Sequence, residues 1–204
     1  LYRKKIFKMN KSIKKNLKEL KKHGITTITN ALSIRKCNYY INRFENLISK
    51  FEKNRIPLNT TCQVIENPFR HDLKLINLIY NKKVDDILSK VLDKNYVLIN
   101  TNIINRINRK FKYRKKENVG RAWHSDSRVL GNKRLEKGFS YIVVTMFNNF
   151  TSGNASTMYV PGSHLKRTQP KRRFNYKSKK ITGQAGSIVI FDTAMWHKAG
   201  KVSN

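Results

Sequence analysis

Three residues in this chain have the types and spacing to hold one metal ion. In Trp123-His124-Ser125-Asp126 the histidine and the aspartate stand two apart, and in an extended chain residues i and i+2 project from the same face. Both side chains can therefore reach one ion. A third donor follows the apolar, β-branched run 187–191, in Trp196-His197. Two imidazoles and a carboxylate on one face of an octahedral ion leave positions open for a cosubstrate and oxygen, the arrangement used by non-haem Fe(II) oxygenases. Spacing alone leaves a second reading open. His-x-Asp is common by chance, and a histidine on a strand is more often a structural residue.

The elements that must position these residues can be read from period and caps. Residues 11–22 place Ile13, Leu17 and Leu20 at helical spacing among lysines, and His23-Gly24 supplies a stop. Residues 25–29 are β-branched and short, hence a strand. Ser33 then caps a helix whose apolar face carries Cys37, Tyr40, Ile41, Phe44, Leu47, Ile48 and Phe51. After a loop with Pro57 and Pro68, the apolar spacing predicts one helix over 73–92, broken at Asn95. The period then changes to the β type. Residues 96–107 read as a strand or a pair, and 139–147 and 187–191 as strands buried on both faces. Helices followed by an antiparallel sheet predict an α+β fold in one domain over 1–204, mainly helical over 1–95 and mainly sheet over 96–204.

Composition narrows the function classes. A chain of 204 residues with 39% apolar and 10% aromatic residues can bury a core, which excludes a disordered chain. No run approaches the roughly 18 apolar residues of a membrane span. The basic N-terminus is followed by no apolar segment of the secretory type, so a cytoplasmic setting is expected. Cys37 and Cys62 match neither a CxxC site nor a disulfide framework and are read as reduced thiols. The net charge of +32 would draw the chain to any polyanion. A second cause competes, because Lys, Asn and Ile number 30, 23 and 20 and all have AT-rich codons. Both ends look cut, since the chain lacks an initial Met and stops at Val202-Ser203-Asn204.

Set in order, the motifs resemble the phytanoyl-CoA dioxygenase family of Fe(II)- and 2-oxoglutarate-dependent oxygenases over nearly the whole chain. Leu20-Lys21-Lys22-His23-Gly24-Ile25, then Ala31-Leu32-Ser33, is similar to the family's opening helix, Gly-led strand and second helix. Trp123-His124-Ser125-Asp126 matches its His-x-Asp motif. Residues 141–147, the turn 148–154 and Met158-Tyr159-Val160-Pro161-Gly162-Ser163-His164-Leu165 match its strand, turn and Pro-Gly-Ser-His segment. Residues 183–192 and then 197–204 match its Gly-turn, strand and distal-histidine segment.

The resemblance implies a double-stranded β-helix, a cupin-like jelly roll with flanking N-terminal helices. It implies Fe(II) on His124, Asp126 and His197, with 2-oxoglutarate as cosubstrate and molecular oxygen as oxidant, hydroxylating a small molecule with release of succinate and CO2. An aspartate at 126 leaves no vacant site for chloride, which favours hydroxylation over halogenation. Cosubstrate contacts are implied near Asn102 and near Thr145 or Met146, where a one-residue slip reverses the face. The family's anchoring arginine would fall at about position 207, where a guanidinium could pair with the distal carboxylate. That position and its strand lie past Asn204, so the last core strand is expected to be missing here.

Other residues are read more plainly. His164 is expected to hold a turn, Asp192 to cap one, and Trp123 and Trp196 to pack. His23 and His71 belong to the helical part and need no function. Two basic segments, 106–121 and 166–180, flank the motifs, and the second carries eight lysines and arginines without an acid. Arg121, Lys166, Arg167, Arg172 and Arg173 are expected to form an electropositive rim for an anionic substrate. Two other functions compete with an oxygenase. One is a metal-binding jelly roll without catalysis. The other is a basic nucleic-acid-binding protein, the weakest of the three because, outside Phe111, Tyr113, Phe174 and Tyr176, the aromatics follow core periodicity.

Overall fold

Asn10 accepts the amide of Ser12 at 2.9 Å and so opens α1 (Lys11–His23), which ends on Gly24 at φ +76°. This is a computed structural model, and it describes residues 10–53, 63–105, 122–127, 140–154, 156–166 and 168–200. The stop at Gly24 has a second cause, since a β-carbon there would lie 2.5 Å from His164 Nδ1. The chain continues as β1 (Ile25–Ile28) and α2 (Ile34–Lys53). Ser33 Oγ accepts the amide of Lys36 at 3.3 Å, as its cap position requires. Of the face expected for α2, Cys37, Tyr40, Phe44, Leu47, Ile48 and Phe51 are buried and Ile41 is half-buried.

Next come β2 (Gln63–Glu66), two short 3-10 turns at Pro68–Arg70 and Leu73–Leu78, α3 (Lys82–Val91) and β3 (Asn102–Asn105). The single helix expected over 73–92 is thus a 3-10 turn and a separate α-helix. Two side chains divide it. Asp72 accepts the amide of Lys74, and Asn81 accepts those of Lys83 and Val84, so each starts its own element. Leu73 and Ile76 of the 3-10 turn stay exposed, so their spacing marks no buried face. Of the strand expected over 96–107, the described residues 96–105 show only β3. Val97, Leu98 and Ile99 before it are exposed, with no partner strand among the described residues.

The remaining strands are β4 (Tyr141–Thr145), β5 (Met158–Tyr159), β6 (Lys179–Lys180), β7 (Ile188–Asp192) and β8 (His197–Lys198). They form two antiparallel sheets, ordered β1-β7-β4 and β6-β5-β8, while β2 and β3 pair as a separate ribbon whose Ile65 and Ile103 pack on α2. Strand β7 is central, and all five of its residues are buried. Its faces serve different layers. Ile188 and Ile190 meet Leu20 of α1 and Val84, Ile87 and Leu88 of α3, whereas Val189 and Phe191 join Met146, Ile181 and Met195. At about 1.5–3 kcal/mol for each fully buried large apolar side chain, β7 anchors both layers. β4 is not buried on both faces as expected: among the described residues it pairs with β7 alone, and Val143 is half-exposed.

Alternation carries this division across the first sheet. Ile142 pairs with Phe191 and Val144 with Val189, so these two join the inner cluster with Met146 beyond them. Tyr141 and Thr145 take the other face, Thr145 opposite Ile188. Cys37 is buried as a free thiol, and burial pushes its pKa up. Cys62, Pro57, Arg167, the whole basic segment 106–121 with Arg121, and residues 201–204 lie outside the described residues.

Candidate metal centre

The geometry of the candidate site begins with a backbone pairing. His124 N–H donates to His197 O at 3.0 Å, and His197 N–H donates to His124 O at 2.9 Å. Such a doubly bonded antiparallel pair projects both side chains on one face. The imidazole centroids are 4.3 Å apart. Asp126 is brought up by the turn between β7 and β8. Asp192 Oδ1 accepts Ala194 N–H at 2.8 Å, and its main-chain oxygen accepts Met195 N–H at 2.9 Å. The same turn presents Thr193 O to the amides of Asp126 and Ser127, at 2.9 and 3.0 Å. One tight turn therefore places both His197 and the Asp126 loop.

The chemistry of the donors follows from what their other atoms do. His124 Nδ1 lies 2.9 Å from Ala122 O, and His197 Nδ1 lies 2.9 Å from Met195 O. A carbonyl oxygen can only accept, so each Nδ1 carries the hydrogen and each Nε2 keeps its lone pair for a metal. Asp126 Oδ2 is 3.3 Å from His197 Nε2, and Asp126 Oδ1 is 3.8 Å from His124 Nε2. One ligand atom from each of the three residues lies within 4.8 Å of the others. With no metal bound, a proton on His197 Nε2 hydrogen-bonds Asp126 and, opposed by partial burial and aided by positive charge on both protonated imidazoles, holds the Asp126 carboxyl below the usual carboxylate range; a metal ion takes the place of those protons on Nε2. The carboxylate is thus in its ligating form. Among the described residues no other three such side chains converge. Two oriented imidazoles with one carboxylate suit Fe(II) by donor type.

Behind the imidazoles, Phe191 of β7 meets the His197 ring edge-on at 5.4 Å. The metal face therefore looks into the space between the two sheets. The neighbouring tryptophans look the other way. Trp123 and Trp196 both contact Tyr176, at 5.5 and 5.0 Å between centroids, and Lys198 Nζ sits 4.5 Å over Trp123. This is alternation again: His124 and His197 on one face, Trp123, Trp196 and Lys198 on the other.

The structure places the other residues singled out from sequence as follows. Met146 is fully buried in the inner cluster that includes Phe191, whereas Thr145 faces the opposite side. Asn102 is exposed on the β2–β3 ribbon, opposite Glu66. Lys166 Nζ lies 4.8 Å over the Trp196 ring, which puts it on the face away from the imidazoles. Arg172 and Arg173 are exposed, and Arg172 O accepts Trp123 N–H at 3.1 Å. His164 is buried with Nε2 3.3 Å from Lys21 O, and Gly162 N–H donates to His23 O at 3.0 Å. The Pro-Gly-Ser-His turn therefore docks on the end of α1. Its Ser163 Oγ also accepts Trp196 N–H at 2.8 Å, one residue before His197. Sequence reasoning missed the carbonyls of Ala122 and Met195 that orient the histidines, which no side-chain pattern could reveal. It also assigned no role at the site to Gln169 or Tyr176, two of several uncharged residues inside a basic run.

Known proteins can now be set beside this geometry. The family model described as Phytanoyl-CoA dioxygenase (PhyH) matches residues 20–204. The Uncharacterized protein Rv1501 of Mycobacterium tuberculosis is 31% identical over 83 residues, which are 39% of this chain and 29% of that relative. The match thus spans less than a third of the curated relative. Among solved structures, the non-heme alpha ketoglutarate dependent carbocyclase SnoK from nogalamycin biosynthesis superposes with a TM-score of 0.65 at 14% identity, covering 97% of this chain and 79% of that one. HygX from Streptomyces hygroscopicus, solved with nickel, 2-oxoglutarate and hygromycin B, gives 0.66 at 10% identity, covering 96% and 83%. EctD from S. alaskensis, with bound Fe, gives 0.67 at 15% identity, covering 92% and 70%. At these identities the likeness is one of fold.

Proposed function

The chain belongs to the phytanoyl-CoA dioxygenase family, and from that premise we propose that it is an Fe(II)- and 2-oxoglutarate-dependent oxygenase that hydroxylates a small organic molecule. The observation that carries this reading is the triad: His124, Asp126 and His197 converge within 4.8 Å with both Nε2 atoms left as acceptors. When bound, Fe(II) with 2-oxoglutarate supplies oxidative decarboxylation to succinate and CO2 coupled to insertion of oxygen into a substrate C–H bond. The chain's own residues do the rest. His124 and His197 would hold the ion through Nε2, and Asp126 would add the one negative charge. Val189, Phe191 and Met146 form an apolar wall that keeps water from that side. We read the two sheets as the halves of a double-stranded β-helix closed around this wall, a reading supported by the fold of the solved neighbours.

Anaerobic titration with Fe(II) and 2-oxoglutarate tests the proposal. The visible charge-transfer absorption of the chelate should appear, and admission of oxygen should yield succinate. A protein giving neither is no oxygenase. Metal binding without the band or succinate would leave the non-catalytic reading in its place. An anionic group on the substrate is part of the proposal, supported by the net charge of +32. Such steering weakens as the Debye length shrinks below about 10 Å above 0.1 M salt, so kcat/KM should fall with ionic strength. A value indifferent to salt removes the anionic group.

A further inference from the structure

Residues 168–176, part of the basic segment 166–180 expected to border the substrate, lie along the back of the strands that carry His124 and His197. Four contacts hold them there. Trp196 Nε1 donates to Thr168 O at 2.6 Å, and Trp123 N–H donates to Arg172 O at 3.1 Å. The Tyr176 ring touches both Trp123 and Trp196, and its hydroxyl accepts Lys171 N–H at 2.8 Å. Pro170 is buried within the same stretch. A segment tied this way presents whatever side chain lies at 169 in a defined place.

That side chain is Gln169, and it grips the Asp126 loop. Its Oε1 accepts Ser125 N–H at 3.2 Å, while its Nε2 reaches Ser125 Oγ at 3.0 Å, Ser127 O at 3.3 Å and Ser125 O at 3.4 Å. The amide thus does what an edge strand would do, offering one acceptor and a pair of donors to main-chain groups on both sides of Asp126. On the loop's other edge, Thr193 O takes the amides of Asp126 and Ser127. All three amides over residues 125–127 are accounted for by these two grips. The Asp126 side chain itself is 43% exposed, so packing does little to fix its direction. Its aim depends on the backbone that carries it.

We propose that Gln169 is a positioning residue for the metal centre: by clamping Ser125 and Ser127 it sets the Asp126 carboxylate toward His124 and His197. This rests on the metal-centre reading and deepens it, extending the ligand support beyond the carbonyls behind the imidazoles. Partners that orient metal ligands from outside the coordination sphere typically contribute about 10–100-fold to affinity. The solvent-facing amide of Gln169 belongs at the low end.

Titration of the whole protein with Co(II), followed by its d–d absorption, tests this alongside thermal melting of the metal-free form. Gln169→Ala should weaken Co(II) binding about tenfold while the metal-free melting temperature stays at the parental value. Gln169→Glu, which keeps the volume and the acceptor but loses both donors, should weaken it in the same direction. Lys177→Ala, at an exposed position nearby, should match the parent. Unchanged Co(II) affinity in both Gln169 variants overturns the proposal. So does a fall in affinity that tracks an equal loss of metal-free stability in both, since that describes a merely structural contact. A parent protein that binds no Co(II) sinks the metal-centre reading as a whole, a failure recognisable before any variant is made.

Discussion

His197→Ala is expected to abolish the Fe(II)–2-oxoglutarate absorption band and to weaken metal binding by at least about a hundredfold, beyond the 10–100-fold typical of outer partners alone. Two features put the largest effect at this residue. His197 is 7% exposed, so no water-borne donor easily replaces its Nε2. Its Nδ1 is held by Met195 O, which leaves Nε2 no use but ligation or contact with Asp126. The change therefore deletes one of the three converging donors. The backbone pairing of residues 124 and 197 uses only main-chain atoms and should survive, so the metal-free variant should still fold. The check is the anaerobic titration run on parent and variant at equal concentration. A variant that keeps the band would remove His197 from the iron site.

Gly186→Ala is expected to cost on the order of 3 kcal/mol in stability through strain and a main-chain clash, a fall in melting temperature of roughly 6–12 °C for a chain of this size. Gly186 sits at φ +83° at the entry to β7. A β-carbon there would lie 2.2 Å from Leu32 O, which is backbone and cannot swing aside. The close approach exists because Gly186 O accepts the amides of Ala31 and Leu32 at 2.8 and 2.9 Å, while Gly186 N–H donates to Met146 O at 2.7 Å. One residue thus joins the start of α2 to the first sheet. Relieving the clash means breaking that junction, and β7 leads directly into the turn that carries His197. Metal affinity should fall together with stability, unlike the separation expected at Gln169. Thermal melts followed by circular dichroism decide it. A melting temperature within about 2 °C of the parent means that the junction yields easily.

Much of the architecture was legible because its signals are local. The stop at Gly24, the cap at Ser33 and the 3.6-residue face of α2 lie in single stretches of chain, and each appears where its residues direct. The apolar run of β7 likewise marks a strand covered on both faces. The apolar spacing over 73–92 misled because Asp72 and Asn81 cap separate elements inside it, and a side chain bonding its own backbone outweighs a weak period. Strands β5, β6 and β8, of two residues each, carry no period at all. They exist only because distant partners complete their hydrogen bonds.

The same division holds at the metal centre. Sequence nominated His124, Asp126 and His197, because donor type and the two-residue spacing of the first pair are written in the chain and the order of the motifs resembles the family's. Tertiary structure alone decided how they meet: a β-bridge spanning 73 residues of chain from His124 to His197, and the carbonyls of Ala122 and Met195 that fix both tautomers. It also decided that Met146 and not Thr145 faces the inner cluster, and that the basic segment around Gln169 and Tyr176 backs the metal strands. Those outcomes rest on register and on contacts between segments far apart in sequence. A one-residue slip in register would reverse every face, and no local pattern records which register the assembled sheets will take.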